Sequence, residues 1–396
     1  MAITKIKIEE FIELAKTNLV LDVRSPSEYA HAHMPNAKSL PLFNDEERKV
    51  VGTAYKQESK QIAIKLGLNF FGTKMKAMVE EVEQLADSNL QFAKSSLQIE
   101  ANCQLPTANC VLVHCWRGGM RSAGVAWLLD LYGFKVYTLV GGYKAYRNWV
   151  LQQFEKDYHF KIIGGYTGSG KTLLLHKLAK QNKKIIDLEG LANHKGSALG
   201  GIGQAVQPSQ EMFENFLAEQ LETQSRSTDN RQQTTDNVQH ELHNESSKYN
   251  EPIANCPVPS ANCIWLEDES QRIGNIKIPD TLWKTMRSSN VYFFDIPFEE
   301  RLNYLTEEYG VQKKDELVTA IMRIQKRLGG LETKTAINFL LENNFKESFR
   351  ILLTYYDKYY LKGLYNRENA ETLIKKICAA DVNAEKNCAT LSDILE

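Results

Sequence analysis

Eight residues limit the fold of this chain more than any others. Gly165-Tyr166-Thr167-Gly168-Ser169-Gly170-Lys171-Thr172 is a complete G-x4-G-K-[ST] pattern. It follows FKIIGG (160–165), which reads as a buried strand, and it opens a helix predicted from Thr172 to about Gln181. Strand, glycine turn and helix form the context in which such a loop binds phosphate. Backbone N–H groups at the helix N-terminus hold phosphate oxygens, Lys171 adds a cation, and the Thr172 hydroxyl can reach Mg2+. The pattern leaves the ligand open, because a nucleotide and an isoprenoid diphosphate present similar oxygens.

The residues around this loop extend the same reading. KKIIDL (183–188), CIWLED (263–268) and NVYFFDI (290–296) are expected strands, and the chain after Glu299 reads as nearly all helix. Carboxylates end two of these strands, Asp187 and Glu189 after one and Glu267, Asp268 and Glu269 after another, which makes them candidate metal ligands or bases. DLEGLANHKGSALG (187–200) places His194 and Lys195 in a glycine-rich loop suited to a second phosphate or to RNA. Residues 311–367 hold 11 Lys plus Arg against 6 Asp plus Glu. Arg323, Lys326 and Arg327 share one helical face there, and Tyr355, Tyr356, Tyr359 and Tyr360 follow. Such a segment suits single-stranded RNA, whose bases stack on rings, and equally suits a solvated helix over a tyrosine-rich core.

The first 150 residues alternate strand and helix signals as well: NLVLDVRS (18–25), VLVHC (111–115) and KVYTLVGG (135–142) are strands, and Ser122–Tyr132 is a helix stopped by Gly133. A parallel α/β sheet follows from that alternation. Between one strand and the helix lies Cys115-Trp116-Arg117-Gly118-Gly119-Met120-Arg121. A thiol at a helix N-terminus beside two guanidinium groups favours the thiolate. Gly118 and Gly119 let backbone N–H groups curl around an anion next to the sulfur. A nucleophile in an anion cradle fits a reaction on thiosulfate, a phosphate ester or selenophosphate. The loop's polarity argues against a buried structural thiol.

Composition narrows the remaining classes. With 396 residues, 43% hydrophobic and 24% charged, the chain has enough apolar material for two or three domains. No apolar stretch reaches the ~18–20 residues of a membrane span. The start, MAITKIKIEEF, has no signal-peptide pattern, so a cytoplasmic location is expected. The net charge of −1 means that RNA binding must rest on a local basic patch. Seven cysteines, an odd number, fit a reducing compartment. Four of them sit in a duplicated phrase, Cys103 with Cys110 and Cys256 with Cys263, each pair spaced too widely for usual zinc ligation, so the expected metal complement from these is none. Polar stretches at about 87–109 and 223–262 read as insertions, the first within a domain of residues 1–150 and the second, disordered, within one of residues 158–396 that ends in a helical tail.

LDVRSPSEYAHAHMPNAKSLPL (21–42), with Asp22, Arg24, Glu28, His33, Pro35 and Pro41, resembles the first signature of rhodanese domains, and YTLVGGYKAYRNW (137–149) matches their end. Ordinary members of that group carry an active loop one residue shorter. Here Cys115-x5-Arg121 has the spacing of cysteine-dependent phosphatases, which suits a tetrahedral, phosphate-sized group. The expected fold class is therefore α/β, a rhodanese-like parallel-sheet domain followed by a P-loop NTPase-like α/β domain with a helical C-terminal region.

The combination is more specific than either half. With NDEERKVVGTAYKQ (44–57), DLEGLANHKGSALG, QPSQEMFE (207–214) and WLEDESQRIG (265–274), the chain resembles the tRNA 2-selenouridine synthases over nearly its whole length. The resemblance implies a transferase that converts wobble 2-thiouridine of tRNA to 2-selenouridine. Geranyl diphosphate first alkylates the sulfur, and selenium from selenophosphate then replaces geranylthiol. It also implies that Cys115 carries selenium as S-selanylcysteine, with Arg117, Gly118, Gly119 and Arg121 cradling phosphate. Gly165, Gly168, Ser169, Gly170, Lys171 and Thr172 are expected to bind the diphosphate, with Mg2+ as a candidate ion. His194, Lys195, Arg323, Lys326 and Arg327 are the candidate phosphate or RNA contacts. Expected partners are tRNA and an enzyme supplying selenophosphate, with no membrane. Two other classes fit the motifs: a rhodanese–P-loop fusion acting as an ATP-dependent sulfurtransferase or phosphatase, and a non-catalytic tRNA-binding module.

Overall fold

The computed structural model describes residues 3–96, 110–226 and 263–395. The chain falls into two units, Met1–Gln152 and Gln153–Glu396. In the first, a five-stranded sheet runs in the order β1 (Thr4–Ile6), β5 (Lys135–Leu139), β4 (Cys110–His114), β2 (Leu19–Asp22), β3 (Lys38–Ser39), with every neighbouring pair parallel. All residues of β2 and β4 are buried, which is why LVLD and CVLVH read as continuous runs. Their register sets Asp22 opposite His114, at the strand ends that lead into the cysteine loop.

The core beside this sheet is completed by a helix of 37 residues, Lys60–Ser96. Phe71, Met78, Val79, Val82 and Ala86 recur along it at helical spacing and join Leu21, Val113, Val125 and Leu129 in one cluster. Residues 87–96, expected to begin a polar insertion, instead continue this helix. A polar composition does not end a helix that an apolar stripe has already nucleated and docked. Cys103 and Cys256 of the duplicated phrases lie outside the described residues, as do residues 97–109 and 227–262 of the expected insertions. Residues 223–226 belong to the helix Gln210–Arg226.

In the second unit four parallel strands run in the order β11 (Ile374–Cys378), β10 (Asn290–Asp295), β6 (Phe160–Gly165), β7 (Ile264–Glu267). A small antiparallel pair, β8 (Arg272–Ile273) and β9 (Ile276–Lys277), follows β7. Helices Phe298–Tyr309, Lys314–Leu328, Gly330–Leu341 and Phe345–Leu364 form the C-terminal region around Leu302, Ile321, Leu340, Phe349 and Leu353. Two strand expectations change. KKIIDL makes only a single bridge, Ile185 with Trp265, because the Asp187 side chain accepts from the Gly190 N–H and starts the helix Leu188–Ala192. The tail, read as helical, returns as β11 to extend the sheet beyond β10. Its alternation IKKIC is too short and too lysine-rich to announce a strand.

Candidate functional site

The cysteine loop leaves β4 at His114 and enters the helix Met120–Tyr132, with Gly119 at its N-cap. Two glycines fix its path. Gly118 has φ +65°, and a Cβ there would press on the carbonyl of Leu139; Gly142 has φ +58°, and a Cβ there would collide with the carbonyl of Cys115. Tyr143 N–H donates to that same carbonyl at 2.8 Å, and Lys144 N–H to the Trp116 carbonyl at 3.0 Å. The loop is therefore clasped by the segment after β5.

Contrary to the expectation from loop polarity, Cys115 is buried, with 3% of its surface exposed. Burial opposes ionisation of the thiol. The Ser122 hydroxyl at 3.3 Å, the Ser122 and Gly119 backbone N–H groups and the Arg121 charge outweigh it and hold the thiol below its ordinary value. Of the four expected cradle residues, Gly119 touches the sulfur, Arg121 acts on it through its charge, Gly118 shapes the loop, and Arg117 points to solvent. Arg121 is itself held by Glu28, at 2.7 Å. Glu28 and Ser122 belong to the site although neither was picked out as a site residue by its motif. The signature acid at 28 was the available signal.

Behind the loop lies a buried charged layer. Arg24 donates to both carboxylate oxygens of Asp22 and to the Ala32 carbonyl, and its guanidinium stands 3.7 Å from the centre of the Tyr143 ring. A bidentate pair with an aromatic cap is the form in which two buried charges are tolerated. His114 is wholly buried beside it, and burial pushes its imidazole down, so it stays neutral.

The phosphate loop of the second unit borders a cavity of about 1480 Å³. Gly168, Ser169, Gly170, Lys171 and Thr172 line one part of it. Gly165 ends β6 and its N–H donates to the Tyr360 hydroxyl at 3.0 Å. That hydroxyl in turn donates to Asp268 at 2.7 Å, and Asp268 forms a buried ion pair with Arg367. Lys171 reaches the Gly165 carbonyl at 3.4 Å and Glu269 at 4.0 Å. Thr172 Oγ1 donates to Glu189 at 2.9 Å. Burial first, and then the neighbouring Glu189 charge, push Glu269 well above the usual carboxylate range, against the pull of Lys171. Glu267 is raised by burial and by Asp187 and Glu189. The strand-end carboxylates thus gather beside the loop.

Elsewhere the cavity wall is mixed: a cluster of Tyr304, Leu305, Tyr309, Tyr355, Tyr356 and Tyr359 stands among charged and polar side chains. The tyrosine run of the tail therefore faces the phosphate loop's cavity. The expected RNA contacts are divided. Lys195, paired with Glu308, and Arg327 line the cavity. Arg323 and Lys326 are exposed on the helix Lys314–Leu328 and are not part of the lining. His194 is partly buried, with burial and then the Arg323 charge pushing its imidazole down. No group of three or more His, Cys, Asp or Glu among the described residues forms a metal cluster.

The rhodanese-like domain model matches residues 7–148, and the model of the tRNA 2-selenouridine synthase AAA domain matches residues 158–241 and 253–384. A tRNA 2-selenouridine synthase of Sulfurovum sp. (strain NBC37-1) is 30% identical over 395 residues, covering 92% of this chain and 93% of the relative. One of Hydrogenovibrio crunogenus is 32% identical over 384 residues, covering 89% and 91%. With both halves matched and the likeness running nearly end to end, this chain belongs to the tRNA 2-selenouridine synthase family.

Proposed function

We propose that the chain converts wobble 2-thiouridine of tRNA to 2-selenouridine through an S-geranyl intermediate, using geranyl diphosphate and then selenophosphate. The observation that carries this reading is the pairing, in one chain, of an activated thiol with a phosphate loop that opens on a tyrosine-lined cavity. A diphosphate bearing a branched apolar chain needs both parts of that cavity. Its oxygens meet Lys171 and the loop N–H groups, and its hydrocarbon meets Tyr304, Leu305, Tyr355 and Tyr359. Lys171 stabilises charge on the departing diphosphate oxygen.

Mg2+ fits this site. It prefers hard oxygen donors, and Thr172 and Glu189 offer them side by side at the loop. These two residues would hold the ion, which would neutralise diphosphate charge.

In the first unit Cys115 is the thiol that carries selenium as S-selanylcysteine, Gly119 and Arg121 face its anionic donor, and an enzyme that makes selenophosphate is the implied supplier. Mass spectrometry of nucleosides from tRNA incubated with the protein, geranyl diphosphate and selenophosphate tests the reading. 2-Selenouridine should form only when both small substrates are present. Its absence, or formation that needs stoichiometric ATP hydrolysis instead of geranyl diphosphate, would overturn the proposal.

A further inference from the structure

The cysteine loop carries a feature that selenophosphate, a small anion, has no use for. Trp116 follows the nucleophile directly, and 38% of its surface is exposed. The ring is not loose. It packs on Tyr143 with centroids 5.7 Å apart and an interplanar angle of 36°, and Arg24 stands 5.9 Å from its centre. Tyr143 is fully buried, sandwiched by the Arg24 guanidinium at 3.7 Å and followed by Tyr146 at 5.8 Å. Trp116 is thus the outermost member of a column of flat groups whose inner members are locked in the core. Met120, at the start of the next helix, is 51% exposed. Trp116 and Met120 together set apolar surface, one half of it a ring fixed by packing, directly beside the residue that carries the thiol.

We propose that Trp116 is a stacking platform for the pyrimidine base of the RNA substrate, with Met120 as its apolar margin. The inference rests on the reading of Cys115 as the selenium-carrying residue. A base that receives an atom from Cys115 must come to rest beside that sulfur. A rigid indole plane one residue away offers it a sequence-tolerant seat. Base–aromatic stacking of this kind is worth about 1–3 kcal/mol, or roughly 5- to 150-fold in binding. Trp116 touches the base in this assignment and sets which nucleoside surface faces the sulfur.

The test uses the full-length protein and an anticodon stem-loop RNA with 5-iodouridine at the wobble position. Near-ultraviolet irradiation joins iodouridine to an aromatic ring stacked on it, and peptide mass mapping finds the ring. The crosslink should fall on Trp116. Trp116→Ala should abolish it and raise KM for S-geranylated RNA by about 5- to 150-fold, and Trp116→Phe should restore most of the loss. The rate of Cys115 alkylation by iodoacetamide should stay at the wild-type value in both variants. A crosslink elsewhere, an unchanged KM in Trp116→Ala, or slowed alkylation in proportion to lost activity would overturn the platform. The crosslink requires no turnover. A Trp116 adduct in a protein that makes no 2-selenouridine would sink the proposed reaction and leave the platform standing.

Discussion

Arg121 Nη1 donates to Glu28 Oε2 at 2.7 Å, so a guanidinium at the start of the helix after the cysteine loop is held by a carboxylate 93 residues earlier in the chain. The same carboxylate accepts from the Ser25 N–H and closes the capping box of the helix Pro26–His31. One acid therefore joins the mouth of the thiol site to the turn that follows β2. Free to rotate, Arg121 would pay side-chain entropy each time it met an anion; tethered, it is already placed.

Glu28→Gln is expected to destabilise the first unit by about 1.5–3 kcal/mol at neutral pH, the range for a hydrogen bond to a charged group. Burial raises the Glu28 carboxyl, but the Arg121 hydrogen bond and charge, the Ser25 N–H and Arg48 outweigh it and bring it down to about 2. A depressed carboxylate contributes stability above its unfolded value and loses it as pH falls toward the folded one. The wild type and the variant should therefore differ at pH 7 and converge between about pH 4.5 and pH 2. Urea unfolding across that range checks it. A constant gap down to pH 2 would remove the ion pair from the account.

Ser122→Ala should move the ionisation of Cys115 toward alkaline pH. The hydroxyl lies 3.3 Å from Sγ, and its hydrogen bond is the foremost of the effects opposing burial. Losing about 1 kcal/mol of thiolate stabilisation would slow alkylation at neutral pH about fivefold. The measurement is the pH dependence of iodoacetamide modification in the two proteins. An unshifted midpoint would mean that the backbone N–H groups of Gly119 and Ser122 suffice alone.

Both chemical loops were legible from the sequence because each combines a nucleophile or cation with glycines at a strand-to-helix junction, and short-range spacing encodes that arrangement directly. Cys115 and Lys171 needed no tertiary information. What surrounds them did. Glu28 and Tyr360 reach their partners Arg121 and Gly165 across 93 and 195 positions, and no local period records such pairings. The strand Ile374–Cys378 escaped for the same reason, since it becomes a strand only when β10 offers an edge. Loop polarity is no guide to the exposure of Cys115, which is buried. The arginines and glycines face outward or line the backbone, while the sulfur turns inward to Ser122.

Tyr360→Phe is expected to weaken the second unit by about 1–3 kcal/mol and to slow the step at the phosphate loop. The hydroxyl accepts from the Gly165 N–H and donates to Asp268, so its removal leaves a part-buried donor at the end of β6 unpaired and loosens the loop. The ring remains to pack on Phe293 and Tyr166. Thermal unfolding gives the stability, and geranylation of 2-thiouridine RNA gives the rate. A variant as stable and as fast as wild type would show that Gly165 finds another acceptor.

The last prediction separates the two sites by where each mutant stops. Cys115→Ser removes the polarizable nucleophile and leaves Gly165–Thr172 untouched, since the two loops lie in different units. It should convert 2-thiouridine in tRNA to the S-geranyl form and then stall, accumulating that nucleoside. Lys171→Ala removes the loop's cation, which contacts the Gly165 carbonyl and lies 4.0 Å from Glu269. Charge-assisted contacts are worth about 1.5–3 kcal/mol, so geranylation should slow about 10- to 150-fold. The same variant should still selenate tRNA supplied already geranylated, because no diphosphate is needed there. Nucleoside mass spectrometry on both variants with both substrates reads the outcome. Normal 2-selenouridine from Cys115→Ser, or equal failure of Lys171→Ala on both substrates, would undo the division of labour between the thiol and the phosphate loop.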